Sequence, residues 1–242
     1  MDRLDHLKQT LPLNLPIIRR HNCNIVILDY NCPQGTYGWV LDNFNNEIKS
    51  RKIRLFREKS AKVYSQSKAK NLSHILAGES EYLVNLDGDN IMSVDFPQYI
   101  SALFSQRDSI GVIRPSDVKT RIIQMGRMAV RREDFYKVRG YRECLTAYGN
   151  DDNDLKLRIL MTGRTYCDLL TTDSSLDHTD ELRVKHLPKL SIHEATQGNV
   201  AICDKLYETD GCFANVGVPW GVADVYSVAH DGKETKVNTK QR

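Results

Sequence analysis

Apolar positions along the chain fall into two kinds of run. CNIVILDYN (23–31) and EYLVNLD (81–87) are short, nearly continuous and rich in Ile, Val and Leu. Such runs read as strands buried on both faces, the usual state of a parallel sheet. IRLF (53–56), SIGVIRP (109–115), IIQMGRMAVRR (122–132) and RTYCDLL (164–170) read as further strands. Between them the apolar residues recur at helical spacing. Leu4, Leu7 and Leu11 start a helix that Pro12 and Pro16 are expected to stop. TYGWVLDNFNNEIK (36–49) and SQSKAKNLSHILAG (65–78) are helices, the second with a glycine stop, and Trp39 and Phe44 are core candidates. DFPQYISALFSQ (95–106) carries Pro97 in its first turn, where a missing N–H costs nothing. EDFYKVRGY (133–141) is a short helix, DDNDLKLRILMTG (151–163) opens on acids that suit its dipole, and one more helix falls near 190–208.

Strands alternating with helices predict an α/β domain with a mostly parallel central sheet and helices on both faces. One domain over 1–230 is expected, followed by a polar, disordered tail at 231–242. No linker, low-complexity stretch or repeat divides the chain. In such sheets ligands bind beyond the carboxyl ends of the strands, so Asp29 and the Asp87/Asp89 pair are expected to line one crevice.

Composition narrows the function classes only a little. The chain has 242 residues, of which 40% are hydrophobic and 27% charged, and a net charge of +3, too small to imply a nucleic-acid partner. It has no run of eighteen apolar residues, hence no expected transmembrane segment. MDRLDHLKQTLP is charged and amphipathic rather than a signal peptide. Six cysteines without CxxC spacing fit reduced thiols and a cytoplasmic protein.

Chemistry concentrates in LDGDN (86–90). A strand delivers Asp87 and Asp89 to its carboxyl end, and Gly88 between them lets the backbone turn so that both acids face one point. Two hard oxygen ligands suit Mg²⁺ or Mn²⁺, which keep waters and take further ligands from substrate phosphates. Ile91 and Met92 do not continue a calcium-binding loop. A phosphatase of the phospho-aspartate type lacks its following Thr or Val and Gly here, and a nucleotidyltransferase lacks its Gly-rich basic loop. The competing bland readings are a solvated turn for Asp87 and Asp89, and simple helix capping for Asp151, Asp152 and Asp154.

From residue 2 to residue 222 the order of motifs resembles the GT-A-fold glycosyltransferases, in particular the inverting family-two-like group. MDRLDHLKQTLP is similar to the first helix of that fold, CNIVILDYN to its second strand, and KAKNLSHILAGESEYLVNLDGDN to its helix–strand–DxD core. GYRECLTAYGNDDNDLKLRI is similar to the acceptor-side motif, and resembles the Gly–Gly–Glu–Asp–Asp–Asp segment of the β-1,4-galactosyltransferases, with Asn150 in place of a glycine and Asn153 in place of an acid. Such enzymes begin with a strand before the first helix, and Met1 stands where that strand should already have ended, so the usual first strand is expected to be missing.

The resemblance implies a metal-dependent hexosyltransferase. It would move a sugar from a nucleoside-diphosphate sugar to an acceptor hydroxyl of a glycan or other molecule, with inversion. Asp89, Asp87 and His178 would hold the metal, with imidazole favouring Mn²⁺ over Mg²⁺. Asp29 would contact the base, and Lys68, Asn71 and Asp87 would serve the donor. Asp152 would be the general base, with Asp151, Gly149 and Trp220 on the acceptor side. Arg127 and Arg183 are candidate diphosphate partners. The alternative is a non-catalytic, glycosyltransferase-like binding module whose donor site has lost its first strand.

Overall fold

The computed structural model of the chain describes residues 3–121, 123–145, 148–176 and 191–241. The elements run α1 (Leu4–Arg20), β1 (Ile25–Tyr30), α2 (Thr36–Asn43), α3 (Asn45–Lys49), β2 (Ile53–Glu58), α4 (Gln66–Leu76), β3 (Tyr82–Val84), β4 (Asn90–Ile91), α5 (Phe96–Gln106), β5 (Ile110–Asp117), β6 (Ala129–Arg131), α6 (Arg132–Lys137), α7 (Asp151–Met161), β7 (Thr165–Thr171), β8 (Ser174–Ser175), α8 (Ile192–Asp210), β9 (Val225–Val228) and β10 (Glu234–Val237). The fold is α/β as expected. Parallel pairing joins β1 to β2 and β5 to β7, while β6, β9 and β10 add antiparallel partners. Two four-stranded sheets result, in the orders β1-β2-β9-β10 and β3-β6-β5-β7.

Both faces of β1 are covered, which explains its unbroken apolar run. Ile27 packs with Leu11 and Leu15 of α1 on one face, and Val26 and Leu28 pack with Leu72 of α4 on the other. α4 starts cleanly because the Ser65 hydroxyl caps the Lys68 N–H. α8 starts with a full capping box between Ser191 and Glu194.

Three expectations are corrected. Pro12 and Pro16 do not end α1 but lie inside it, both on its exposed side. The carbonyls they leave without a helical donor can turn to water, and burial of Leu4, Leu11, Leu15, Ile17 and Ile18 on the opposite face outweighs the loss. The run 122–132 forms a strand only over β6, because Met125–Arg127 coil into a short 3-10 turn. The polar tail is not disordered: β10 pairs with β9, and Gln241 bridges to Trp220. Its alternation is weak because β10 is an edge strand, exposed along most of its length. Among the described residues, no helix is long and apolar enough to cross a membrane, and the six cysteines are free thiols.

Candidate active site

β3 ends at Val84, and the chain continues through Asn85 and Leu86 into the Asp87–Gly88–Asp89 turn. This turn is tied down on every side. Asp87 N–H donates to the Gly126 carbonyl, Thr10 of α1 donates to the Gly88 carbonyl at 2.7 Å, and Leu176 N–H donates to the Asp89 carbonyl. Asn14 of α1 clamps the following residues, donating to the Asn90 carbonyl and accepting from Met92 N–H. The short β4–β8 pair then lays residues 174–175 alongside the turn.

Asp87 reaches solvent yet is ringed by the crevice. Removal from bulk water raises its carboxyl above the ordinary range, with Asp89 and Asp151 adding to the rise and Lys70 opposing it. Its Oδ2 sits over the Cα of Gly126, so closely that a Cβ there would collide with it. Gly126→Ala is therefore expected to push Asp87 aside; if Asp87 seats a metal–nucleotide ligand, binding of that ligand should weaken by about 10–100-fold, the usual cost of disturbing a residue around a metal site. Isothermal titration with Mn²⁺ and nucleotide measures this, and an unchanged affinity would remove Asp87 from the site.

The second acidic group stands opposite. α7 begins at Asp151, and Lys70 of α4 reaches across to both of its first acids, at 2.8 Å from Asp151 Oδ2 and 2.7 Å from Asp152 Oδ2. Asp152 Oδ1 accepts from Asn85 Nδ2 at 2.9 Å and from the Tyr141 hydroxyl at 3.0 Å. Asn85 thus links the strand that carries the DxD turn to the acid on α7. Burial, reinforced by Asp151 and Asp87 and opposed by Lys70, lifts Asp152 to about 7. Burial works to deprotonate Lys70, but Asp151 and Asp152 outweigh it and hold the ammonium well above its usual range. His74 stacks on Tyr141, and burial with Lys70 nearby lowers it to about 4, so it is neutral.

A carboxyl poised near neutrality is suited to take a proton. Lys70→Met removes the cation that lowers Asp152, so the pH at which Asp152 is half-ionised rises above about 7. The acid limb of any rate profile should move to higher pH with it. A limb that stays in place would show that Asp152 is not the titrating group.

The structure sorts the other expected site residues. Asp29 lines the same crevice at the carboxyl end of β1, but each of its oxygens already accepts a backbone N–H, from Cys32 and from Tyr37, so it anchors the turn into α2. Lys68 is half-buried on α4. Asn71 is a correction: fully buried, it clamps the backbone of Tyr141 from both sides and reaches Glu143, so it positions the 141–143 loop and does not face a donor. Gly149 sits at φ +87° against Thr196 of α8, where a Cβ would meet Thr196 Oγ1 at 2.5 Å. The loop before α7 is further held by Asn199 donating to the Gly149 carbonyl.

Trp220 is the second correction. It is 2% exposed and packs on Phe135 and Tyr136 in the main core cluster, so its indole presents no face to a sugar. Arg127 is buried and pairs inward with Asp173 and the Ser174 carbonyl, bracing the strand beside the DxD turn. Asp154 belongs to a separate buried ion cluster with Arg142 and Arg158. His178 and Arg183 lie outside the described residues.

Sequence reasoning missed Lys70, Asn85 and Tyr141. The signal was present on α4, where Ser67, Asn71 and His74 are buried at helical spacing and Lys70 shares their side. A helix that turns polar residues inward marks a site or a network rather than a core.

Among the described residues, no group of three His, Cys, Asp or Glu side chains could hold a metal by itself. The two DxD carboxylates, one of them crowded by like charge, are nevertheless a donor set that a hard divalent cation completes with waters and diphosphate oxygens.

No family model matches the chain, and no curated protein matches its sequence. Solved structures do match it in fold. A Drosophila β1,4-galactosyltransferase 7 variant in complex with manganese, UDP-Gal and xylobiose aligns over 78% of this chain and 72% of its own, at 15% identity and TM-score 0.52. The mannosyltransferase PcManGT from Pyrobaculum calidifontis, with GDP-Man and Mn²⁺, aligns over 80% of this chain and 56% of its own, at 15% identity and TM-score 0.56. GalNAc-T7, with UDP, GalNAc and Mn²⁺, aligns over 85% of this chain and 46% of its own, at 12% identity and TM-score 0.61. The chain spans about half the length of the last two. The superpositions, at identities this low, establish shared architecture alone: the chain has the GT-A fold.

Proposed function

We propose that this chain is a glycosyltransferase that moves a sugar from a nucleoside-diphosphate sugar to an acceptor hydroxyl, with a divalent metal ion, Mn²⁺ or Mg²⁺, at Asp87 and Asp89. The observation that carries the reading is the nearness of two acidic groups. Asp87 of the DxD turn lines the crevice with Lys70 and Asn85, and Asp152, bonded by those two and by Tyr141, is close enough to Asp87 for its carboxyl to be raised by it. The GT-A fold supports it, and Mn²⁺ and nucleotide sugars are the ligands of the matched structures.

Asp87 and Asp89 would hold the metal, with His178 as third protein ligand. When bound, the metal neutralises charge developing on the leaving diphosphate. Asp152 would act as general base. The acceptor oxygen forms its bond to the anomeric carbon as the bond to the diphosphate oxygen breaks and its electron pair leaves with the diphosphate. The acceptor proton passes to a carboxylate oxygen of Asp152. Asn85 and Tyr141 fix the orientation of that carboxylate, and Lys70 keeps enough of it ionised near neutral pH. Asp151, oriented by the same ammonium, would bind acceptor hydroxyls. A single displacement of this kind inverts the anomeric centre. Nucleoside diphosphate released in the presence of an acceptor sugar, with the product's anomeric configuration read by proton NMR, tests both statements. A retained configuration would refute the single displacement.

One observation favours a second reading, a non-catalytic module: β1 and β3 flank the crevice without pairing to each other. Metal-dependent nucleotide binding without turnover on any acceptor would support that reading.

A further inference from the structure

We propose that β7 is a docking edge for a second copy of this chain, whose own β7 pairs with it antiparallel across a two-fold axis at Asp168. This inference does not depend on the catalytic reading.

β7 and β10 form the outer edges of the two sheets. An open edge invites pairing with another chain, and proteins blunt such edges with short strands, lysine or proline. β10 is blunted in this way: it is four residues long and carries Glu234 and Lys236. β7 is not. It runs for seven residues without a lysine, arginine or proline, and it leaves Tyr166 48% and Leu170 46% exposed.

The backbone of β7 has a free row of hydrogen-bonding groups. Thr165 donates its N–H to the Ser109 carbonyl, and the Thr171 carbonyl accepts from Val118 N–H. At both ends of the strand, therefore, the odd-numbered residues serve β5. The one irregularity in the register inserts Gly111 on the β5 side and leaves the alternation of β7 intact. Tyr166, Asp168 and Leu170 turn their N–H and C=O groups away from the sheet. Among the described residues these groups have no backbone partner.

The side chains are already in place for pairing. Asp168 stands opposite Arg114 in the ladder, so Tyr166, Asp168 and Leu170 share the face of Arg114. That guanidinium grips Asp168 at 2.7 and 2.8 Å and lies 4.2 Å from the centre of the Tyr166 ring. Groups ordered beforehand lose less freedom on binding. Cys167 and Leu169 point to the other face, where they pack against the core.

A second β7 fits because the strand is self-complementary about Asp168. With Asp168 opposite its own copy, every outward residue finds an outward partner, and each matched pair exchanges both of its backbone bonds. Tyr166 then faces the copy's Leu170 at both ends, an aromatic–aliphatic pair of the kind that stabilises antiparallel strands. On the other face Cys167 meets the copy's Leu169. The two Asp168 carboxylates approach each other at the axis, but each arrives paired with Arg114, and Lys156 of α7 is near enough to interact with both members of that pair. Each copy thus brings one acid and two cations to the seam, so the like charges at the axis are shielded. The contact is isologous and closes on itself, which gives a dimer rather than a fibre.

Sedimentation velocity and amide hydrogen exchange over a range of protein concentrations test this, on the native chain and on three variants. Leu170→Lys removes the apolar pair twice over, once at each end of the seam. Asp168→Pro removes an N–H that points away from β5, a position where an edge strand tolerates proline. Tyr99→Lys changes an exposed aromatic of α5, away from the seam. The native chain should dimerise as concentration rises, and the amides of Tyr166, Asp168 and Leu170 should slow with it. Leu170→Lys should weaken the dimer by about tenfold or more, Asp168→Pro should be monomeric, and Tyr99→Lys should behave as the native chain. A native chain that stays monomeric with those three amides exchanging freely would overturn the proposal. So would a monomer in which they are protected at every concentration, because the edge would then be covered by the chain itself. A dimer that persists unweakened in folded Leu170→Lys would place the seam elsewhere and overturn it as well.

Discussion

Asp152→Asn is expected to reduce turnover by about 10²–10⁴-fold, the range in which a positioned general base contributes. The substitution keeps the shape of the side chain, and Lys70 remains paired with Asp151. Metal-dependent nucleotide affinity should therefore change little, because in the proposed function Asp152 serves the acceptor while Asp87 and Asp89 would hold the metal. The native chain should lose activity as pH falls through about 7, where Asp152 takes up its proton. The sign follows from the chemistry: the ionised carboxylate accepts the acceptor's proton, and the protonated form cannot. The asparagine variant should show its residual rate without that acid limb. Steady-state kinetics across pH 5–9 checks both, and an acid limb that persists in the variant would assign the titration elsewhere.

Asp154→Ala is expected to cost about 3–5 kcal/mol of stability, the usual price of leaving buried charge uncompensated. Asp154 is fully buried and receives Arg142 at 3.1 Å and Arg158 at 2.9 Å, with the Tyr207 hydroxyl also donating to it. Both guanidiniums are as buried as the acid, and Arg158 also holds the carbonyls of Val138 and Gly140 below the active-site loop. For a domain of this size the loss corresponds to roughly 6–20 °C in melting temperature. Removing Arg158 as well should cost less than the sum of the two single changes, because the second removal takes away a charge already stranded. Additive losses would show that the two groups do not interact.

These two acids, two residues apart, illustrate how far the sequence could be read. An acidic cluster opening a helix is visible in DDND, and its place after a strand–DxD–helix pattern points to a site. Which acid faces the crevice and which faces the core depends on α7's rotation against α8 and the 138–142 loop, and the mean pattern of a short helix does not resolve that. β1 and β3 were legible because burial on both faces leaves an unbroken apolar run. β9 and β10 were not, because a surface hairpin can be built from polar residues once its partner strand supplies the pairing. Trp220 was misplaced for a similar reason: a tryptophan between Pro219 and Gly221 looks like an exposed loop residue, and only the bridge to Gln241 and the packing on Phe135 draw it inward. Lys70 was overlooked in favour of Lys68, although Lys70 shares the polar inner side of α4 and Lys68 does not pair with the α7 acids.

Thermal unfolding of the chain with Mn²⁺ and each of UDP, GDP, CDP and ADP, beside an Asp89→Ala variant, tests the donor site most directly. At a hundred times its dissociation constant a cognate nucleotide should add about 2.7 kcal/mol, or roughly 5–10 °C for a domain of this length. The account predicts such a shift with one nucleotide, dependent on the metal and absent in the variant. A folded chain that shifts with none of the four, or a variant that shifts as the native chain does, would contradict it.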